Sequence, residues 1–254
     1  MGDAERIHEV LRAMFENICD IFDDARFERR DGYDFLVFPP IPIPQFNAVW
    51  PLDDSAAPSL AGALEEIGQL GLPFSVQIRQ GRTPAFEEEA KRLGLTAKEP
   101  IPGMLVRPDE LTVRELADLE IVRIETADGL AQALAVAAAG FGAPADVLAP
   151  IYMLEVARLD GIAYYLGRVD GRDVSTSIGY TLADTVGVFN VATPPEHRGR
   201  GYGAALTAQA AREGFEAGAE LAWLQSSAMG VSVYRGLGFR EVQAYALLTR
   251  PSGS

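Results

Sequence analysis

From Val191 to Ala204 the chain reads Val-Ala-Thr-Pro-Pro-Glu-His-Arg-Gly-Arg-Gly-Tyr-Gly-Ala, and this segment has residue types that could do chemistry. An apolar run ends before it and helical spacing begins after it, so the segment leads from a strand into a helix. The first amides of a helix have no intrahelical acceptor and point outward with the positive end of the helix dipole. Gly199, Gly201 and Gly203 remove the side chains that would hold an anion at a distance, and Arg198 and Arg200, with His197 beside them, add positive charge. Together these features describe a site for a phosphate group.

What the segment lacks narrows the ligand. There is no Gly-Lys-Ser/Thr, which excludes a phosphate loop for nucleoside triphosphates. Gly199, Gly201 and Ala204 satisfy the dinucleotide pattern G-x-G-x-x-[GA], but Pro194 to Arg198 separate the strand from the first glycine where that motif needs a tight turn. The next strand ends in Gln225-Ser226-Ser227, without the acidic residue that would bind a ribose.

Arg198, Gly201 and Gly203 fit (Arg/Gln)-x-x-Gly-x-(Gly/Ala), and the segment resembles the pyrophosphate loop of the GNAT superfamily of acyl-coenzyme A N-acyltransferases. The resemblance runs from about Leu119 to Arg250. It includes Leu224-Gln-Ser-Ser-Ala-Met-Gly-Val-Ser-Val-Tyr-Arg-Gly-Leu-Gly-Phe239, which is similar to that family's closing strand and helix with its Tyr-x-x-Leu-Gly-Phe. The resemblance implies that backbone groups of Val191, Ala192 and Thr193 pair with the pantetheine arm of acetyl-coenzyme A. It implies that the amides of Arg198, Gly199, Arg200, Gly201, Tyr202, Gly203 and Ala204 bind the pyrophosphate, and that Tyr234 faces the sulfur as the general acid. Ser227 stands where the family commonly has an asparagine that contacts the cofactor; a helix cap is an equal reading of it. The activity implied is acetyl transfer to a primary amine of a small molecule or peptide, by direct attack in a ternary complex with coenzyme A as product. The alternative is a coenzyme A-binding sensor without transferase activity.

The second part of the chain supplies the elements that would position these residues. Leu119–Thr126 reads as a strand, 128–140 and 144–158 as helices, and Ile162–Val169, Ser175–Leu182 and Val186–Ala192 as a meander whose first turn is Asp170-Gly171. A helix over 202–217, a strand over Leu221–Gln225, a short helix near 229–236 and a strand over Glu241–Leu248 complete a mixed α+β order. The first part, with helices at 7–22, 56–71 and 84–94 and strands at Phe35–Phe38, Phe46–Trp50, Phe74–Ile78 and Met104–Val106, has a tail resembling the end of a second GNAT domain. It holds no Arg-x-x-Gly-x-Gly, and Ala90 takes the tyrosine's place before Leu93-Gly94. The expected organisation is a degenerate GNAT-like domain over 1–115 and a catalytic one over 116–254, each a mostly antiparallel twisted sheet flanked by helices. The charge-rich Arg107–Glu120 would be the junction.

Composition limits the partners. A net charge of −14 over 254 residues argues against nucleic acid and anionic membranes and favours a cationic acceptor. Cys19 is the one cysteine, so no intramolecular disulfide or cysteine metal cage forms, and a reducing cytoplasm is the expected compartment. The N-terminus has no apolar run of the signal-peptide kind, and the longest uncharged stretch, Phe35 to Leu52, carries five prolines and cannot span a membrane as a helix. No metal site is expected, and a monomer or homodimer suffices. Glu155, Asp184 and Glu241 are candidate bases, and Tyr152, Met153, Tyr164 and Tyr165 candidate acceptor contacts.

Overall fold

The computed structural model describes residues 1–251. Its elements are α1 (Asp3–Cys19), β1 (Arg26–Arg30), β2 (Tyr33–Val37), β3 (Asn47–Pro51), α2 (Leu60–Gln69), β4 (Ser75–Arg79), α3 (Pro84–Arg92), β5 (Ala97–Val106), β6 (Glu120–Ile124) and α4 (Ala127–Phe141). There follow α5 (Ala145–Leu148), α6 (Leu154–Ala157), β7 (Ile162–Val169), β8 (Arg172–Leu182), β9 (Thr185–Ala192), α7 (Tyr202–Glu216), β10 (Leu221–Gln225), α8 (Val231–Gly236) and β11 (Arg240–Thr249). The class is the expected one: helices around strands that pair mostly antiparallel.

Two compact units result. One holds residues 1–10 and 104–241; the other holds residues 11–103 and those from Val242 onward. In the first, β6, β7, β8 and β9 form an antiparallel meander and β10 pairs parallel to β9. In the second, β1, β2 and β3 form the meander, β4 pairs parallel to β3, and β11 pairs antiparallel to β4. Each parallel step is crossed by a helix, α7 in one and α2 in the other, and each second parallel strand leads into a shorter helix, α8 or α3. The chain therefore writes one pattern twice.

The units differ from the single cut between 115 and 116 because the closing strands cross over. β5 follows the first copy in sequence, yet its end, from Met104, belongs to the unit built on the second. β11 follows the second copy, yet its residues from Val242 belong to the unit built on the first. The segment between β5 and β6 contains turns but no helix or strand, as expected of a connection.

Two elements depart from the expected ones. β1 has four charged residues in five, a pattern that does not read as a strand; Arg26 and Arg30 are held by Glu28 and Glu66 and Arg29 by Glu16, while Arg30 lies 3.8 Å from the Phe35 ring centre. The single helix expected over 144–158 is α5, a 3-10 turn over Ala149–Tyr152 and α6, because Pro150 lacks the amide that a continuous helix needs. The Asp170-Gly171 turn forms as the sequence predicts, with positive φ at both residues (49° and 73°).

Candidate functional site

The site is built on a parallel strand pair that comes apart. β9 and β10 pair only between Thr185–Gly187 and Leu221–Trp223, so beyond Trp223 the two strands no longer bond to each other. On the other edge of β9, Ile178 pairs with Phe189 but Thr176 pairs with Ala192, which leaves one extra residue in β9. That bulge is centred on Asn190, whose φ is 48°. Its effect is to bend the end of β9 away from β10 and leave backbone groups of Val191–Thr193 facing an open wedge. Phe189 folds back beside Gly187 and meets Trp223 edge-on at 5.2 Å; a Cβ at Gly187 would lie 2.5 Å from that ring. The wedge is thus walled at its base by aromatic packing.

The glycine-rich segment follows at the mouth. After a 3-10 turn over Pro195–His197, Gly199 and Gly201 take φ values of 76° and 88°, and Gly201 is the N-cap of α7 with no side chain to offer its first amides. Gly203 has ordinary helical geometry; its role is room, since a Cβ there would meet Thr193 Oγ1 at 3.3 Å and Val191 Cγ1 at 3.5 Å. Tyr202 is buried beneath the turn, and Ala204 packs against the core. Residues Val191 to Ala204 thus run from the end of β9 through the turn into the first residues of α7.

The two arginines divide the work in a way that the sequence does not reveal. Arg198 Nε donates to the Thr193 carbonyl at 3.0 Å and its Nη2 to the Gly140 carbonyl at 2.6 Å, so its fork fastens the segment to the end of α4. Gly140 permits that approach, because a Cβ there would sit 3.0 Å from Thr193 N. Arg200 is exposed and makes no ion pair among the described residues, so its charge is available to an anion. Arg198→Lys should weaken coenzyme A binding about tenfold, because an ammonium cannot span two carbonyls, whereas Arg200→Lys keeps a point charge and should stay within about threefold. Titration calorimetry checks this, and equal losses for the two variants would refute the division.

Tyr234 lies on α8, which ends in a Schellman stop. The Phe239 amide donates to the Tyr234 carbonyl at 3.0 Å and the Gly238 amide to the Arg235 carbonyl at 3.0 Å, with Gly238 at φ 95°. This is the physical content of Tyr-x-x-Leu-Gly-Phe: the glycine turns the chain, and Phe239 returns to pack 6.0 Å from the Tyr234 ring. Gly230 gives the ring its place, since a Cβ there would stand 2.7 Å from Tyr234 Cε2. Burial pushes the phenol up to about 12, with no hydrogen bond contributing. Ser227 accepts the Gly230 amide at 3.3 Å, a capping contact that leaves its hydroxyl proton for another partner.

The equivalent stop in the other unit is intact. Leu95 N donates to the Ala90 carbonyl and Gly94 N to the Lys91 carbonyl, both at 3.0 Å. The helix end is conserved in geometry, but Ala90 supplies no phenol. In place of a glycine-rich segment, Asp53 caps a 3-10 turn and Asp54 Oδ1 accepts the amides of Ala85 and Phe86 at the start of α3. Those carboxylates would repel a phosphate at this position.

The remaining candidates separate by geometry. Asp184 is ion-paired with Arg6 in the turn before β9, at the opposite end of that strand from Ala192. Glu155 and Glu241 are exposed. Tyr165 points to the α7 face, its hydroxyl 2.8 Å from Glu213 Oε2, whereas Tyr164 donates to the Ile151 carbonyl and its ring lies 5.6 Å from that of Tyr152, tilted by 58°. Burial raises the phenols of Tyr152, Tyr164 and Tyr165, and raises the Cys19 thiol to about 12. The fold thus retains protons that the unfolded chain gives up from about pH 8.5 for the thiol and about pH 10 for the phenols. Stability from these groups is complete below those values and lost as pH rises toward 12 and beyond. Melting temperature should fall steadily from pH 9 to pH 11, and a flat profile would count against buried, neutral phenols.

Comparison with known proteins agrees with this geometry. The acetyltransferase (GNAT) domain family model matches residues 167–242, from the end of β7 into β11. No curated protein matches the chain. Among solved structures, a GCN5-related N-acetyltransferase from Kribbella flavida is 22% identical with a TM-score of 0.74, covering 100% of this chain and 97% of its own. A GCN5-related N-acetyltransferase from Sphaerobacter thermophilus is 15% identical with a TM-score of 0.67, covering 96% of this chain and 86% of its own. A conserved protein of unknown function from Staphylococcus epidermidis is 14% identical with a TM-score of 0.66, covering 91% and 96%. Residues 167–242 are thus similar to GNAT acetyltransferase domains, and the chain has the fold of GNAT proteins along its whole length.

Proposed function

We propose that the protein is an N-acetyltransferase that moves an acetyl group from acetyl-coenzyme A to a primary amine of a small molecule or peptide, by direct attack in a ternary complex. One observation carries this reading: the β9–β10 pair comes apart beside an uncapped, glycine-flanked helix N-terminus, and a half-buried phenol that keeps its proton packs on the same core cluster as Val191 and Ala204. The uncapped amides with Arg200 fit a pyrophosphate, and the unpaired edge of Val191–Thr193 fits an extended amide-bearing arm. When bound, acetyl-coenzyme A supplies the acetyl group and departs as the thiol.

The chain's own residues then have separate tasks. A backbone amide of β9 near Val191 polarises the thioester carbonyl as charge builds on its oxygen. Tyr234 stays neutral across the physiological range and offers its proton to the departing sulfur. Cys19 lies outside this unit's residues and its thiol is held neutral, so no acyl-cysteine is invoked. The net charge of −14 favours cationic amines over nucleic acid or anionic membranes, which supports small or peptide amines as acceptors. We place the protein in the cytoplasm as a monomer or homodimer; among the described residues no single helix is long and apolar enough to cross a membrane.

Thiol release from acetyl-coenzyme A, measured over a panel of amines, tests the assignment. Turnover with at least one primary amine is expected. Coenzyme A binding without release for any amine would make the protein a coenzyme A sensor.

A further inference from the structure

The face of the β9–β10 wedge opposite α7 holds polar atoms that the transfer reaction does not use. Tyr152, at the end of the 3-10 turn before α6, is 5% exposed, and its Oη is buried with no hydrogen-bond partner. The side chains of Asn190 and Thr176 flank this phenol closely enough to act on it, but not in bonding geometry: Asn190 Nδ2 is likewise buried and unpartnered, while Thr176 Oγ1 donates to the Tyr165 carbonyl. Gln225 Nε2, at the end of β10, is a second buried amide nitrogen without a partner. Gln225 stands two residues beyond Trp223, the last β10 residue that pairs with β9. Pleat alternation sets Gln225 on the side of Trp223, away from Ala222 and Leu224, which pack with α7 residues.

These atoms are held in place. The Tyr152 ring packs at a tilt against Tyr164, whose own hydroxyl is tied to the Ile151 carbonyl. Asn190 is the bulge residue at φ 48°, so its side-chain direction is set by the same irregularity that opens the wedge. Buried polar groups normally find partners, and rigid ones left without them mark where a ligand supplies the partner. Tyr152 and Asn190 offer a phenol proton and an amide N–H, with no charged side chain between them. Neutral donors match a neutral oxygen.

We propose that Tyr152 and Asn190 recognise the acceptor through a carbonyl or hydroxyl oxygen close to its amine. Acceptors would then be amino amides, peptide N-termini or amino alcohols rather than plain alkylamines. The inference rests on the transferase reading. It names specificity-determining residues, and its test separates the two.

Acceptor pairs matched in size, glycinamide against propylamine and ethanolamine against ethylamine, are compared by kcat/KM in thiol release. The wild type should favour the oxygen-bearing member at least tenfold, because a site built to hydrogen-bond an oxygen rejects the analogue lacking it. Tyr152→Phe and Asn190→Asp should each bring that ratio toward one, mainly through KM, with melting temperatures near that of the wild type. No preference in the wild type, or a ratio unmoved in both variants, overturns the proposal. Binding of glycinamide and propylamine to the coenzyme A-loaded protein, followed by calorimetry, asks the same question without turnover. If no amine is acetylated yet glycinamide binds and Tyr152→Phe weakens it about tenfold, the recognition site stands and the transferase reading fails. If neither amine binds and none is acetylated, both fail.

Discussion

Tyr234→Phe should lower kcat by about 10²- to 10³-fold while leaving coenzyme A affinity within about twofold, an effect of the size general acids contribute. The expectation follows from where the phenol sits. Burial raises it to about 12 and no side chain competes for its proton, so at neutral pH it is always a donor. Phenylalanine fills the same space against Phe239 and Gly230, and removes only the hydroxyl. The loss should therefore fall on kcat, with KM for either substrate nearly unchanged. An unchanged kcat in a folded Tyr234→Phe protein would mean that the thiolate leaves without this proton, and the role assigned to Tyr234 would be abandoned. Gly230→Ala offers an independent approach: with φ at −78° its backbone accepts alanine, but the new methyl would push the Tyr234 ring aside and should lower kcat without unfolding α8.

The parts of the site legible in the sequence are those where a local conformation demands a residue type. Gly199 and Gly201 need positive φ, Gly238 ends α8, and Asp170-Gly171 turns a hairpin; each announces itself within a few positions. The parts that stayed hidden depend on partners far away in the chain. The bulge at Asn190 exists only in the pairing of β9 with β8, and asparagine's tolerance of positive φ was the one local sign of it. Arg198 looks like a phosphate ligand beside glycines, yet its fork is taken by the carbonyls of Gly140 and Thr193, the former 58 residues away. β1 was missed because charged side chains cover an edge strand, and the crossing of β5 and β11 has no signature in either strand. The same limit applies to Tyr152 and Tyr165. Both read as aromatic residues near a strand, and only the sheet's faces separate an unpartnered phenol from one bound to Glu213.

The two helix stops allow the local and the nonlocal demands on glycine to be measured apart. Gly94 and Gly238 occupy the same position in the same motif, with φ of 88° and 95°. Alanine at either site must adopt a left-handed conformation that costs about 1–2 kcal/mol. A Cβ at Gly94 meets nothing within 4 Å, so that strain is the whole expected cost. A Cβ at Gly238 would lie 2.2 Å from the Glu110 carbonyl oxygen, which is backbone and cannot rotate away. Relief requires moving the segment after β5 or the end of α8, where the Thr112 amide also donates to the Leu237 carbonyl at 3.0 Å. Gly238→Ala should therefore cost about 3 kcal/mol or more, at the upper end of single substitutions, against about 1 kcal/mol for Gly94→Ala. Urea unfolding read by tryptophan fluorescence measures both. Because α8 holds Tyr234, folded Gly238→Ala protein should also lose most of its acetyl transfer, while Gly94→Ala retains it. Equal destabilisation by the two substitutions would show that φ alone governs these stops and that the close approach to Glu110 is not rigid.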